Sequence, residues 1–330
     1  MYLIKKLWHP EMFQGKYKNK NYFEGWYYKL IDSKQENVWA VIPGIAHGKS
    51  EDDHHAFVQV IEANSCNVHY FKYDISSFKF LENKFNVQIG NNLFTQDGII
   101  LDLKDQNISI QGQLSFQNII PFPKGILRPG IMGPFSFVPF MECYHGVVNI
   151  HHEIEGSIAH NGTEISFNNG YGYIEKDWGK SFPESWIWIQ SNHFPQGDVS
   201  LMFSIAKIPF LCSHFTGFLS FLRIGDRMFS FATYTGAKIT KLQYMKDTIL
   251  IDIADAKYTL HIKAIFSKGG VLKAPKNGLM NGEVTESITS TVMVSLHDHK
   301  SRANLFEGKG IHTGFEIGGN IEYFLQLGKS

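Results

Sequence analysis

Two carboxylates set two residues apart among aromatic rings are the feature of this chain best suited to chemistry. They stand in Gly170-Tyr-Gly-Tyr-Ile-Glu-Lys-Asp-Trp-Gly179 as Glu175 and Asp177. If Tyr173 to Trp178 is extended, alternation puts Tyr173, Glu175 and Asp177 on one face and Ile174, Lys176 and Trp178 on the other. Carboxylates so spaced lie roughly 7 Å apart, near enough to split their titrations where the dielectric is low. A carboxyl desolvated by rings, or held beside a second carboxylate, has its pKa raised and can act as a general acid. The alternative is an acidic pair that only caps the turn before Gly179, because structural ion networks perturb carboxyls as well.

A further carboxyl sits among rings in Phe23-Glu-Gly-Trp-Tyr-Tyr-Lys29. Glu24, Trp26 and Tyr28 alternate onto one face, so Glu24 could line the same cavity or pair with Lys29 or an arginine. Trp186 and Trp188, in Phe182-Pro-Glu-Ser-Trp-Ile-Trp-Ile-Gln190, share a face with Gln190 and could wall a cation. Rings at strand spacing are more often core than ligand contacts, and that alternative stands for both segments. Among the 15 histidines, His54-His55 and His151-His152 are adjacent pairs. Strand neighbours point to opposite faces, so neither pair chelates one ion, and there is no His-Glu-x-x-His. His151, Glu153 and Glu155 share a face that reads as solvated strand. No metal site is expected, and no local signal makes His55 or His151 the orienting partner of an acid. Without Gly-x-Ser-x-Gly or a phosphate loop, hydrolases and nucleotide enzymes are disfavoured.

The elements that must position these residues are strands. Runs such as Ala56-Phe-Val-Gln-Val-Ile61, Val199-Ser-Leu-Met-Phe-Ser-Ile205 and Ser290-Thr-Val-Met-Val-Ser-Leu296 recur between Gly, Asn, Asp and Pro clusters. That pattern, without a sustained helical stripe, predicts an all-β fold of antiparallel barrels or sandwiches with few helices. Five prolines between Pro121 and Pro139 cannot sit in a central strand. They predict a crossover between two β domains, residues 1–140 and 141–330. Lysine plus arginine equals aspartate plus glutamate at 31 each, charged residues are 19% and aromatics 14%. Disorder and coiled coil are excluded, and a chain without clustered cations is a poor polyanion binder, so no nucleic-acid partner is expected. No secretory signal, no bilayer-long apolar run and three scattered cysteines (Cys66, Cys143, Cys212) place it in the cytoplasm with reduced thiols.

Taken in order and at their separations, the FEGWYYK, YIEKDWG and FPESWIWIQ segments, with Leu272-Lys-Ala-Pro275 and Glu316-Ile-Gly-Gly319, resemble the tocopherol cyclase family. The resemblance runs from about residue 20 to 320. A more distant likeness is to carotenoid 1,2-hydratases and other proteins of two lipocalin-like domains. It implies two consecutive lipocalin-like β-barrel domains and acid-triggered addition of an oxygen nucleophile across a prenyl double bond. An intramolecular lyase (an isomerase) closing a prenylated quinol is the activity implied, or a hydratase if water adds. Such chemistry needs a strong acid in a dry pocket and electron-rich rings to shield a carbocation, and no cofactor. By resemblance Glu175 matches an acidic position of the hydratases' motif, whereas plant cyclases tend to carry Asn where this chain has Asp177. The catalytic candidates are therefore Glu175, with Asp177 as modulator and Glu24 as a second acid. Tyr173, Trp178, Trp26, Tyr28, Trp186 and Trp188 are the substrate-binding candidates. The partner implied is a small apolar prenylated or lipid-like substrate, compatible with transient contact with a membrane surface. A non-catalytic carrier, or a structural β module, would need no buried acid.

Overall fold

The computed structural model describes residues 2–210 and 213–327, with one short α-helix, α1 (Tyr2–Lys5). Its first sheet is built from β1 (Tyr22–Ile31), β2 (Val38–His47), β3 (His55–Glu62), β4 (Asn67–Asp74), β5 (Phe78–Phe80) and β6 (Asn86–Ile89). It continues with β7 (Asn92–Thr95), β8 (Gly98–Lys104), β9 (Ser109–Pro121), β10 (Cys143–His160), β11 (Thr163–Ser166) and β12 (Gly170–Gly179). The strands lie in the order β4-β3-β2-β1-β12-β10-β9-β8-β7-β6-β5, with β11 against β10. The two ends of that order, β4 and β5, are consecutive in the chain, joined by one 3-10 turn at Ile75–Ser77. The sheet thus curls around its own core, which includes Trp26, Tyr28, Val58, Phe94, Ile110 and Ile174. The fold is all-β, as expected.

The second sheet repeats the plan. Its strands are β13 (Trp186–Ser191), β14 (Val199–Phe210), β15 (Ser213–Ile224), β16 (Arg227–Ala232) and β17 (Lys238–Met245). The others are β18 (Thr248–Ala254), β19 (Tyr258–Ile265), β20 (Gly270–Lys276), β21 (Leu279–Asp298) and β22 (Ala303–Gly318). Their order is β16-β15-β14-β13-β22-β21-β19-β18-β17, and again the ends are consecutive strands. Ile187, Phe203, Ile251 and Phe315 belong to its separate core.

The chain divides into two compact units, but not at the expected place. Residues 1–182 with 272–283 form one, and 183–271 with 284–330 the other. The expected boundary between 140 and 141 is corrected by pairing: β10 lies against β9, with Asn149 opposite Pro121, and β12 lies against β1. Both strands complete the first sheet. The proline cluster therefore marks the loop between two neighbouring strands of one sheet rather than a linker. Proline interrupts a ladder without separating domains.

Burial sets β1 and β12 apart from a strand such as β18. β18 alternates between buried and half-buried residues, the ordinary pattern of a strand with one wet face. Nine of the ten residues of β1 are buried, as are Gly172 to Lys176 of β12. Water is thus kept from both faces of this pair over Gly172–Lys176, and polar groups there must find partners inside the protein.

Candidate active site

Strand β12 carries charge on both faces, and the register with its neighbours assigns each charge a partner. β1 runs antiparallel on one side, with Glu24 opposite Trp178, Trp26 opposite Lys176, Tyr28 opposite Ile174 and Tyr27 opposite Glu175. On the other side β10 sets His145 opposite Asp177 and Val147 opposite Glu175. Glu24, Trp26, Tyr28, Ile174, Lys176 and Trp178 accordingly line the core side. Tyr27, Tyr173, Glu175, Asp177 and His145 line the opposite face.

The core-side cluster is a clasp. Lys176 Nζ lies 2.5 Å from Glu24 Oε1, and neither side chain is exposed. Lys176 also donates to the carbonyls of Pro10 at 2.7 Å and Met12 at 2.5 Å, so its three protons all have acceptors. Glu24 accepts from the Gln14 backbone amide at 2.8 Å and from the Tyr22 hydroxyl. The ammonium lies over the rings of Trp26 and Trp178, 4.7 and 4.8 Å from their centroids. Burial pulls the Lys176 pKa down to about 8, with the Glu24 charge opposing. Trp26 donates to the Glu11 carbonyl and stacks on Phe85, while the Tyr28 hydroxyl donates to the Thr95 carbonyl. These groups hold residues 10–14 against the first core. Of the alternatives open for Glu24, sharing a cavity with Glu175 is corrected, since the two acids project from opposite sheet faces, and the cation it pairs with is Lys176.

The opposite face gathers coupled ionisable groups around His145. His145 Nδ1 is 2.9 Å from Asp177 Oδ1, and its Nε2 is 3.6 Å from Glu175 Oε2. The Tyr173 hydroxyl donates to Glu175 Oε2 at 2.7 Å. Tyr173 is fully buried and Glu175 is 4% exposed, whereas the Asp177 side chain retains 28% of its accessible surface. Burial acts most strongly on His145 and would lower its pKa, but the charges of Asp177 and Glu175 outweigh it and raise the value to about 9. At neutral pH the imidazolium therefore stands between two carboxyl groups. Burial, then the neighbouring Glu175, pushes the Tyr173 phenol well up, so it stays a donor. Cys143, a free thiol opposite Gly179, also reaches Asp177 at 4.0 Å and is pushed up by burial. Cys66 is free as well, and Cys212 lies outside the described residues.

Alternation brought Tyr173, Glu175 and Asp177 together as expected. His145 was missed, because only the β10–β12 register places it there and nothing near it in sequence marks it. Its presence changes the electrostatics from two carboxyls competing for a proton to three coupled groups sharing one. His145, Glu175 and Asp177 are also the one group among the described residues able to hold a metal ion, with ligand atoms within 4.8 Å of one another. An ion there would displace the imidazole proton.

Trp186 and Trp188 belong to the second unit, on the face of β13 opposite Ile187 and Ile189 of its core. Trp188 lies over Gly314, where an added Cβ would come within 2.5 Å of the ring, and Trp186 lies likewise over Gly318. Trp186 Nε1 donates to Glu316 Oε2 at 3.0 Å, and Glu316 is paired across the strands with the fully buried Glu286. That carboxyl pair was not anticipated, since 30 residues separate its members along the chain.

The sequence profile described as tocopherol cyclase-like matches residues 85–319, most of the chain. The protein belongs to the tocopherol cyclase-like family. Its matched span contains His145, Tyr173, Glu175 and Asp177 and leaves out Glu24 and Trp26. The chloroplastic tocopherol cyclase of Zea mays is 38% identical over 71 residues, which are 21% of this chain and 15% of the maize protein. The match thus spans a small part of that relative. Kievitone hydratase from Nectria haematococca has the same fold, with a TM-score of 0.51 at 13% identity, over 90% of this chain and 89% of that one. CghA, solved with Sch210972, gives 0.55 at 9% identity, over 90% and 89%. Among the described residues no helix is long and apolar enough to cross a membrane.

Proposed function

We propose that this member of the tocopherol cyclase-like family catalyses acid-triggered addition of an oxygen nucleophile across a prenyl double bond, with a prenylated quinol or related isoprenoid as substrate. The observation that carries the reading is the Asp177–His145–Glu175–Tyr173 array, with Tyr173 and Glu175 buried and Asp177 at its wetter end. Asp177 orients His145 through Nδ1, and Nε2 faces Glu175. When an apolar substrate removes the remaining water, an ion pair loses more solvation than its neutral counterpart. As Nε2 closes the 3.6 Å gap to Glu175 Oε2, its N–H bond breaks and an O–H bond forms on the carboxylate, leaving neutral imidazole and an uncharged carboxyl that can donate to substrate.

Glu175 delivers that proton to the alkene: its O–H bond breaks, a C–H bond forms, and a tertiary carbocation remains. The rings of Tyr27 and Tyr173 supply electron-rich surroundings for the cation. The quinol oxygen bonds to the cationic carbon, and its own proton returns to the array, so the net change is an isomerisation. Were water the nucleophile, the same steps would be a hydration, the reaction class named in the kievitone hydratase relative.

The test is Glu175→Gln, assayed with a prenylated hydroquinone and, separately, for binding of that molecule. Turnover should be abolished with binding kept within about three-fold, since the shape of the site is unchanged. Retained turnover, or equal loss of turnover and binding, would count against the acid role.

A further inference from the structure

The first unit exposes large apolar side chains on two segments that contact each other. On and after α1, Leu3 is 54% exposed, Ile4 69% and Leu7 38%. In the loop between β9 and β10, Ile126 is 82% exposed, Leu127 75% and Phe140 95%. Contacts join the two segments: Trp8 Nε1 donates to the Ile126 carbonyl at 3.0 Å, and the Trp8 ring lies 5.7 Å from that of Phe137. Lys5 reaches the Asn83 carbonyl at 2.5 Å, which brings the half-exposed Leu81 beside α1. Apolar tips grouped this way are uncommon on a soluble surface and mark a docking face.

Charge identifies what docks. The whole chain is neutral, yet its first 20 residues carry five lysines, of which Lys16 pairs with Glu82, against one acid, Glu11, which is buried and paired with Lys124. Lys18 and Lys20 are exposed in the segment that follows α1, and the exposed Arg128 follows Leu127 directly. A cationic rim around protruding Ile, Leu and Phe tips matches an anionic lipid surface, where the tips enter the headgroup boundary and the lysines meet lipid phosphates.

We propose that α1 and the Ile126–Phe140 loop form a docking face for anionic lipid bilayers, used without any membrane-spanning segment. The proposal does not depend on the proton chemistry of His145 and Glu175, and either can fail alone.

The test is co-sedimentation of the full chain with phosphatidylcholine vesicles, with and without about a third phosphatidylglycerol. The wild type should bind the anionic vesicles, with affinity falling as salt rises. Ile126→Ser/Leu127→Ser/Phe140→Ser should weaken binding about ten-fold or more at an unchanged thermal midpoint, these side chains being exposed. Lys18→Glu/Lys20→Glu should lose the preference for anionic over neutral vesicles. The proposal is overturned if the wild type ignores anionic vesicles at low salt, or if the triple serine variant binds as well as the wild type. It is equally overturned if sedimentation shows a dimer that the serine variant breaks, which would make the occupant a second copy of this chain.

Discussion

In the proposed chemistry His145 is the central residue, and its protonation gives a checkable pH dependence. Its pKa is raised from 6.5 to about 9 because the attraction of Asp177 and Glu175 exceeds the cost of burial. A pKa raised on folding means stability that is whole below about 6.5 and is lost as pH climbs through about 9. The contribution is on the order of 3 kcal/mol. The thermal midpoint should therefore fall between neutral pH and pH 10, and in His145→Gln that fall should shrink. Turnover should show an alkaline limb near the same value, absent in His145→Gln. Asp177→Asn removes the closer negative charge, so the limb should move to lower pH by about one unit or more, read from kcat/KM against pH. If the limb stays in place, His145 is not the group that titrates.

Strand β12 makes the argument at the scale of the element. Period-two alternation was enough to sort its side chains into two sets, and the structure keeps both sets. It could not say that both faces would be buried, nor that Lys176, read only as a member of the second set, would clasp Glu24. An internal charge pair of this kind costs desolvation on both sides, and removing one partner strands the other. Lys176→Met should destabilise the protein by about 3–5 kcal/mol in denaturant unfolding, and Glu24→Gln/Lys176→Met should recover most of it. If the double variant is no better than the single, the clasp is not a pair. Gly172 shows the same close fit: an added Cβ would lie 2.2 Å from His152 Nε2. Gly172→Ala should cost about 1–3 kcal/mol by the same measurement.

Across the whole molecule, the pairing of β10 and β12 within the first sheet predicts how the chain can be cut. Residues 1–140 alone lack both strands, leaving one edge of β1 and one of β9 unpaired and part of the first core uncovered. That fragment should show no cooperative unfolding transition in calorimetry, whereas the intact chain should. A cooperative transition in the fragment would restore the boundary at 140. Residues 1–182 keep every strand of the first sheet but lose 272–283, so they should fold with reduced stability.

Local physics sufficed for much of this. β-branched and aromatic runs punctuated by turn residues made the class all-β, and the motif segments pointed to the family that the profile match then showed. Alternation within one strand grouped Tyr173 with Glu175 and Asp177, because side-chain direction in a strand depends on nothing beyond that strand. What alternation cannot carry is the identity of a neighbour. Asp177 meets His145, and Glu24 meets Lys176, through hydrogen-bond registers between segments tens to more than a hundred residues apart. Two bulge-like shifts in the β10–β12 ladder alter that register locally. Such pairings are settled by closing a sheet around a shared core, where each strand takes the offset that buries the most apolar surface and leaves the fewest polar groups unpaired. The proline cluster misled for the same reason: its chemistry says that a ladder stops, and only the closed sheet shows where the chain resumes.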